Sequence, residues 1–253
     1  EWDSLPSIVE SGFLKLLDLL DLYVVKATCF FLGYIAKKYP YLVKEARKRG
    51  HEIASHGMFH RVIAQMSREE FMADLYNSKS LLEDICSEEI TTFRSPSFSV
   101  TEATPWFFES LAETGYIADS SVFPVKRDYG GYQIEQKKPY WIKTDKGNIC
   151  EFPISVASLL GKELCFFGGG YLRFFPKWVI LYMHKKLAKK GIPTLYYIHP
   201  REMEPQHPRL NLNKKSYFKC YVNLKTVKPK LEAILSSGEF VTCQQYLEEM
   251  KDS

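Results

Sequence analysis

No stretch of this chain approaches the ~18 uninterrupted apolar residues of a membrane-crossing helix. Its best candidate, Phe13 to Leu20, is broken by Lys15 and Asp18. The first residues lack the basic start and apolar run of a secretory leader, so a cytoplasmic location is the expectation. There is no CxxC pair either. Cys29, Cys86, Cys150, Cys165, Cys220 and Cys243 stand far apart, several of them in apolar runs, which favours buried free thiols over a disulfide framework. Nor is there a block of like charge. The 34 basic and 30 acidic residues leave a formal net charge of +4 with lysines scattered among acids, and nothing in that balance supports a nucleic-acid partner. Internal repeats and low-complexity linkers are absent as well, so residues 1–253 read as a single domain.

What is present is a core-forming chain. Hydrophobic residues make up 45% of it, enough to bury a substantial interior, and aromatic residues alone make up 15%. Apolar runs alternate with segments of helical period, the signature of an α/β architecture with parallel strands. Residues 22–32, rich in β-branched and aromatic side chains, read as a buried strand leading into a helix over 36–49, which Gly50 ends. A short strand over 51–55 precedes a loop carrying His56 and His60. Ser67 and Glu70 form a capping box for a helix whose inward face is Phe71, Leu75, Ser78, Leu82 and Ile85. Strands follow over 92–97, 116–120, 149–154 and 194–198. Between them lie a helix capped by Thr104 with Pro105 in its first position, and a long helix from Pro176 carrying apolar Trp178, Leu181, Tyr182 and Leu187. A polar excursion over 126–146 reads as an insertion or lid. This many strand-helix units fit a barrel or an open doubly wound sheet, and both gather ligands at the carboxyl ends of strands.

The chemistry-bearing residues fall at such ends. His56 and His60 lie four apart just after a strand, with Gly57 free to turn between them, so either a helical turn or a tight loop could aim both rings at one point. Two neutral imidazoles, a carboxylate and an open position form the usual hydrolytic zinc site and several ferrous sites. The same spacing also arises from two ordinary histidines. His51-Glu52 is not the start of a metalloprotease HExxH, because Ser55 stands where the second histidine would be. His199 is a polar residue closing a wholly apolar strand, a position that favours a functional group. Arg94 also ends a strand, where its guanidinium could hold a carboxylate in a bidentate grip or serve in a structural ion pair. The glycines at 168–170 lack GxGxxG spacing and read as a tight loop where backbone approaches a ligand.

The segments Gly50–His60, Phe93–Phe98, Gly115–Pro124, Gly168–Pro176 and Tyr197–Glu202 occur in the order found in polysaccharide deacetylases with the NodB homology domain. The chain resembles that family nearly end to end, and most of all the subgroup found with bacterial exopolysaccharide biosynthesis. The resemblance implies a distorted (β/α) barrel of about seven strands and hydrolysis of an N-acetyl group on an amino sugar. It implies a divalent metal held by His56 and His60, with zinc expected and cobalt, nickel or iron also compatible with such ligands. Arg94 would orient the catalytic base, His199 would be the general acid, and Asp119 would support that histidine. Pro96 and Tyr171, in the second and fourth matching segments, are the expected substrate contacts. The partner implied is a carbohydrate, with neither nucleic acid nor a membrane span.

One part of the family pattern has no counterpart. The first motif, an Asp-containing run on the first strand that supplies the base and a third metal ligand, is not matched, and Glu1-Trp2 resemble the residues that directly follow it. The expectation is therefore a chain that starts after its first strand and hydrolyses slowly or not at all as written. Two other readings stand beside deacetylation: an allantoinase-like amidohydrolase acting on a small non-sugar amide, and a catalytically inactive carbohydrate-binding domain.

Overall fold

Five of the strands line up in parallel, and a sixth pairs antiparallel at the edge. A computed structural model describes residues 8–125, 130–132 and 134–251 of the chain. In chain order the first elements are α1 (Val9–Leu22), β1 (Thr28–Phe31), α2 (Gly33–Lys38), α3 (Pro40–Lys48), β2 (Glu52–Ser55), α4 (Arg68–Cys86) and β3 (Thr92–Phe93). Then come α5 (Phe107–Glu113), β4 (Ala118–Asp119), β5 (Tyr140–Thr144), β6 (Gly147–Glu151), β7 (Ala157–Leu159) and β8 (Lys162–Leu164). The last are α6 (Gly169–Phe174), α7 (Lys177–Ala188), α8 (Lys214–Tyr221), α9 (Val227–Leu235) and α10 (Cys243–Lys251). They divide between a sheet unit, Lys26–Ile154 with Val241–Ser253, and a helical unit, Glu1–Val25 with Ser155–Phe240.

In the sheet unit the strand order is β1-β2-β3-β4-β6-β5. Helices cross over between β1, β2, β3 and β4, as parallel pairing requires. Helix α4 begins with the expected capping box: Ser67 Oγ accepts from the Glu70 amide, and the Glu70 carboxylate accepts from the Ser67 amide. Its buried face is Phe71, Leu75, Ser78 and Leu82, while Ile85 is only half-buried. Phe71 stacks on Phe107 and meets Phe93 edge-on, and Phe93 in turn meets Tyr116, so α4, α5 and the sheet share one aromatic interior. Each such ring removed from water contributes roughly 1.5–3 kcal/mol.

Several boundaries differ from expectation. The strand expected over 22–32 is shorter, because α1 runs to Leu22 and the chain then turns through Val24, whose φ is 55°. Helix α5 begins at Phe107, since the Thr104 hydroxyl bonds back to the Thr101 carbonyl at 2.8 Å and does not cap the helix. Part of the polar excursion is regular structure: residues 140–144 form β5, in a hairpin with β6, while positions 126–129 and 133 lie outside the described residues.

The helical unit packs α1, α7 and α9 around Phe166, Phe167, Leu172, Ile180, Met183, Val227 and Leu231. The buried side of α7 is Ile180, Met183 and Leu187, whereas Trp178 and Tyr182 are exposed. The expected strand over 194–198 is reduced to a single parallel bridge between Gly168 and Tyr197. Pro193 has no amide to offer a ladder, and the Leu195 amide bonds the Ser155 hydroxyl at 2.8 Å instead of a strand carbonyl. Among the described residues no helix is long and apolar enough to cross a membrane.

Candidate active site

The ladder of the sheet unit continues one residue beyond each strand and assembles a row of polar groups at the carboxyl edge. The His56 amide bonds the Phe31 carbonyl at 2.8 Å, Arg94 bonds Ser55 at 3.0 Å, Ser120 bonds Phe93 at 3.0 Å, and Phe152 bonds Asp119 at 2.7 Å. Parallel pairing in register thus puts His56, Arg94 and Ser120 side by side where α/β sheets bind ligands.

His56 Nδ1 lies 2.7 Å from the Arg94 carbonyl oxygen. A carbonyl only accepts, so Nδ1 carries the proton and Nε2 is left as the lone-pair nitrogen of the neutral ring. That is the orientation of a metal-ligating imidazole, whose other nitrogen donates to a backbone oxygen. The His60 ring meets it edge-on, with centroids 5.2 Å apart and planes at 72°. The turn between them is tight: Gly57 has φ 73° and His60 itself φ 54°, a left-handed conformation uncommon outside glycine. Asp74 on α4 holds this turn, accepting from the Met58 amide at 2.8 Å, and a Cβ on Gly57 would come 2.7 Å from its oxygen. Burial raises the Asp74 carboxyl above its ordinary value, against the opposing pull of the Met58 amide and Arg61. Both imidazoles are of the donor type that binds a divalent ion, and His56 has the tautomer such a ligand needs. Among the described residues no group of three or more His, Cys, Asp or Glu is gathered for one.

Arg94 is held from two sides. Its Nε donates to the Ser120 carbonyl at 3.0 Å and a terminal nitrogen to Ser120 Oγ at 2.8 Å, while the guanidinium carbon lies 4.1 Å from the Phe30 ring centre. The loop after it is strained, with Ser97 at φ 59° and Phe98 at φ 51°. Such backbone costs on the order of 1–3 kcal/mol per residue and persists only where its surroundings fix it. Here Ser99 does so, its amide bonding Ser95 Oγ at 3.1 Å and its hydroxyl the Pro96 carbonyl at 2.6 Å. Pro96 is buried within this turn.

Asp119 is buried, and its carboxylate accepts from the Ser121 hydroxyl at 2.6 Å and the Ser121 amide at 3.1 Å. Its register partner is Glu151, equally buried and bonded to the Val122 amide at 2.9 Å. Burial pushes Asp119 up to about 6, although Glu151, Ser121 and Arg94 all pull it down. Glu151 is driven well above its ordinary value, first by burial and then by the charge and hydrogen bond of Asp119. Both carboxyls are thus biased toward their protonated forms, with the Arg94 charge opposing the bias. Sequence reading missed Glu151.

His199 and Tyr171 belong to the helical unit. His199 opens the short turn Pro200–Met203 with its side chain half exposed, and its amide bonds Glu202 Oε2 at 3.0 Å. Tyr171, on α6, is 43% exposed and lies nearly parallel to Phe175, a flat apolar face open to a ligand. The close backbone approach expected at the glycines is made to the chain itself: a Cβ on Gly168 would overlap the Tyr197 ring.

Residues 2–116 match the family described as Polysaccharide deacetylase, and residues 120–248 match the family described as Domain of unknown function (DUF3473). A peptidoglycan-N-acetylglucosamine deacetylase of Bacillus cereus is 35% identical over 102 residues, 40% of this chain and 46% of that protein. The match therefore spans less than half the length of that relative. A Mycobacterium smegmatis crystal structure that carries a polysaccharide deacetylase name superposes with TM-score 0.64 at 18% identity, over 97% of this chain and 78% of the other. The PuuE allantoinase structure gives TM-score 0.63 at 15% identity, over 92% and 70%. At those identities the likeness shows the fold, which is α/β and of the expected distorted-barrel kind, although the sheet among the described residues is open. The DUF3473 match takes in 129 of the 253 residues (120 to 248), so the chain belongs to that family, and its first part carries the polysaccharide deacetylase domain over residues 2–116.

Proposed function

We propose that this protein hydrolyses N-acetyl groups on an amino-sugar polymer with the help of a divalent ion, zinc by preference. The observation that carries the reading is the His56 Nδ1 bond to the Arg94 carbonyl, which leaves Nε2 as the ligating atom beside His60. His56 and His60 hold the ion, which when bound lowers the pKa of water toward ~7 and polarises a carbonyl. The rest is the work of side chains. Arg94, clamped by Ser120, would orient the anionic base that the family's first motif supplies, a motif that residues 1–253 do not match, and the Asp119–Glu151 pair tunes the field around that guanidinium. Addition of water to the acetamide carbonyl and cleavage of the C–N bond yield acetate and a free amine. That amine is too basic to depart as an anion, so His199 in its protonated form delivers a proton to the leaving nitrogen. Tyr171 offers a stacking face for a sugar ring.

The relatives' names favour amino-sugar polymers as the substrate class. The test is acetate release from N-acetylglucosamine oligomers and from peptidoglycan by the intact, zinc-loaded protein, with free amine counted in parallel. Equimolar acetate and amine are expected. Ring opening of a cyclic ureide without acetate release would instead select the allantoinase-like reading, and tight oligosaccharide binding with no product would select a binding domain.

A further inference from the structure

We infer that Glu202, clamped by Arg173, is the carboxylate that orients the His199 ring. The inference deepens the general-acid role proposed above and rests on it. Every residue involved lies in the helical unit.

Glu202 is buried to 1% exposure, and its two oxygens are divided between two partners. Oε1 accepts from Arg173, itself 2% exposed. Oε2 accepts from the His199 amide at 3.0 Å and stands 3.8 Å from His199 Nδ1, about 1 Å longer than a charge-assisted hydrogen bond. The imidazole is half exposed, and the His199 backbone amide is already tied to the same oxygen.

The surroundings favour a permanent negative charge on Glu202. Arg173 also donates to the Lys219 carbonyl at 2.6 Å, and the buried Lys230 ammonium donates to the carbonyls of Leu172 and Arg173 at 3.0 and 2.8 Å. Arg173 thus neutralises the buried carboxylate directly, and Lys230 adds a second buried cation on the backbone of Arg173. The other ion pair on this turn, Lys15 with Glu204, is more exposed and satisfied within itself. Burial alone would raise the Glu202 carboxyl, but the hydrogen bonds and charges of His199 and Arg173 outweigh it and hold it below its ordinary value.

A fixed anion facing Nδ1 selects the tautomer with hydrogen on that nitrogen and leaves Nε2 as the atom that takes up and gives away the mobile proton. An orienting carboxylate does the same for a catalytic histidine elsewhere. Arg173 and Glu202 are thus positioning residues.

The deciding measurement is the nitrogen NMR spectrum of the full chain with labelled histidine, His199 being assigned by its absence in His199→Gln. In wild type a pyrrole-type Nδ1 and a pyridine-type Nε2 are expected in the neutral ring, and the reverse assignment overturns the inference. Glu202→Gln should shift the tautomer ratio at least fivefold toward Nε2–H and lower kcat tenfold or more with KM within twofold. A folded Glu202→Gln variant with an unchanged ratio overturns the inference. If that variant does not fold, the wild-type spectrum still decides. Acetate release with the wrong tautomer sinks this assignment alone, and the right tautomer without acetate release sinks the deacetylase reading alone.

Discussion

Asp119 and Glu151 face each other in register on adjacent parallel strands, both without solvent exposure. Both carboxyls titrate above their ordinary values, so the folded state binds protons more tightly than the unfolded chain does. Their stabilising contribution is complete below the ordinary carboxylate range. It is lost as pH rises from about 4 through about 6 for Asp119, and through the raised value of Glu151. A tenfold difference in proton affinity between the folded and unfolded states corresponds to ~1.4 kcal/mol. Urea unfolding at a series of pH values should therefore show wild type weakening from pH 4 to pH 8. Glu151→Gln, neutral and of the same shape, should remove at least half of that slope. Parallel slopes in the two proteins would show that the pair is not coupled to folding.

The two imidazoles proposed to bind metal differ in backbone strain, and that difference guides the choice of variants. His60 sits at φ 54°, where asparagine is tolerated better than alanine. His60→Asn is expected to keep the turn and weaken zinc binding tenfold or more by isothermal titration. His56→Gln should do the same while disturbing the Arg94 carbonyl that accepts from Nδ1. Zinc affinity unchanged in both variants would remove the metal from this loop.

Candidate residues were legible in the sequence because charged or polar residues closing apolar runs stand out. His199 and Arg94 were found that way. Glu151 carries the same mark, closing the run Ile149–Cys150 before Phe152 and Pro153, but its meaning depends on Asp119, which lies opposite only through strand register. Register is set by pairing, and the sequence does not print it. Asp74 and Arg173 were invisible for a related reason: each acts across an element boundary on a backbone group or a buried partner. The fold class followed from alternating apolar and amphipathic segments. Strand lengths did not, since Val24 and Pro193 break strand pairing locally where composition alone suggested continuity.

The capping box of α4 is local and exposed, so its removal should act on stability without touching the chemistry. Ser67→Ala deletes the acceptor for the Glu70 amide and should cost about 1 kcal/mol, read as a lower urea midpoint at unchanged slope. Zinc affinity should not change, because the histidine turn is tied to Asp74, further along the helix. A coupled loss of zinc binding would mean that the start of α4 sets the histidine geometry.

Gly168 offers the sharpest test of packing in the helical unit. Its φ of −172° is extended backbone open to any residue, so conformational freedom does not explain the glycine. The obstacle is the Tyr197 ring, which a methyl at this position would overlap. Gly168→Ala should therefore destabilise by ~1–3 kcal/mol through overpacking. The displaced ring meets the His199 ring edge-on at 6.0 Å, so the same change should lower deacetylation by more than the loss of folded protein accounts for. Tyr197→Ala opens the space, and the double variant should be more stable than the sum of the single effects predicts, by about 0.5 kcal/mol or more on the scale of direct neighbours. Strict additivity would mean that the backbone at Gly168 moves away from the ring, and that the glycine is held there by something other than Tyr197.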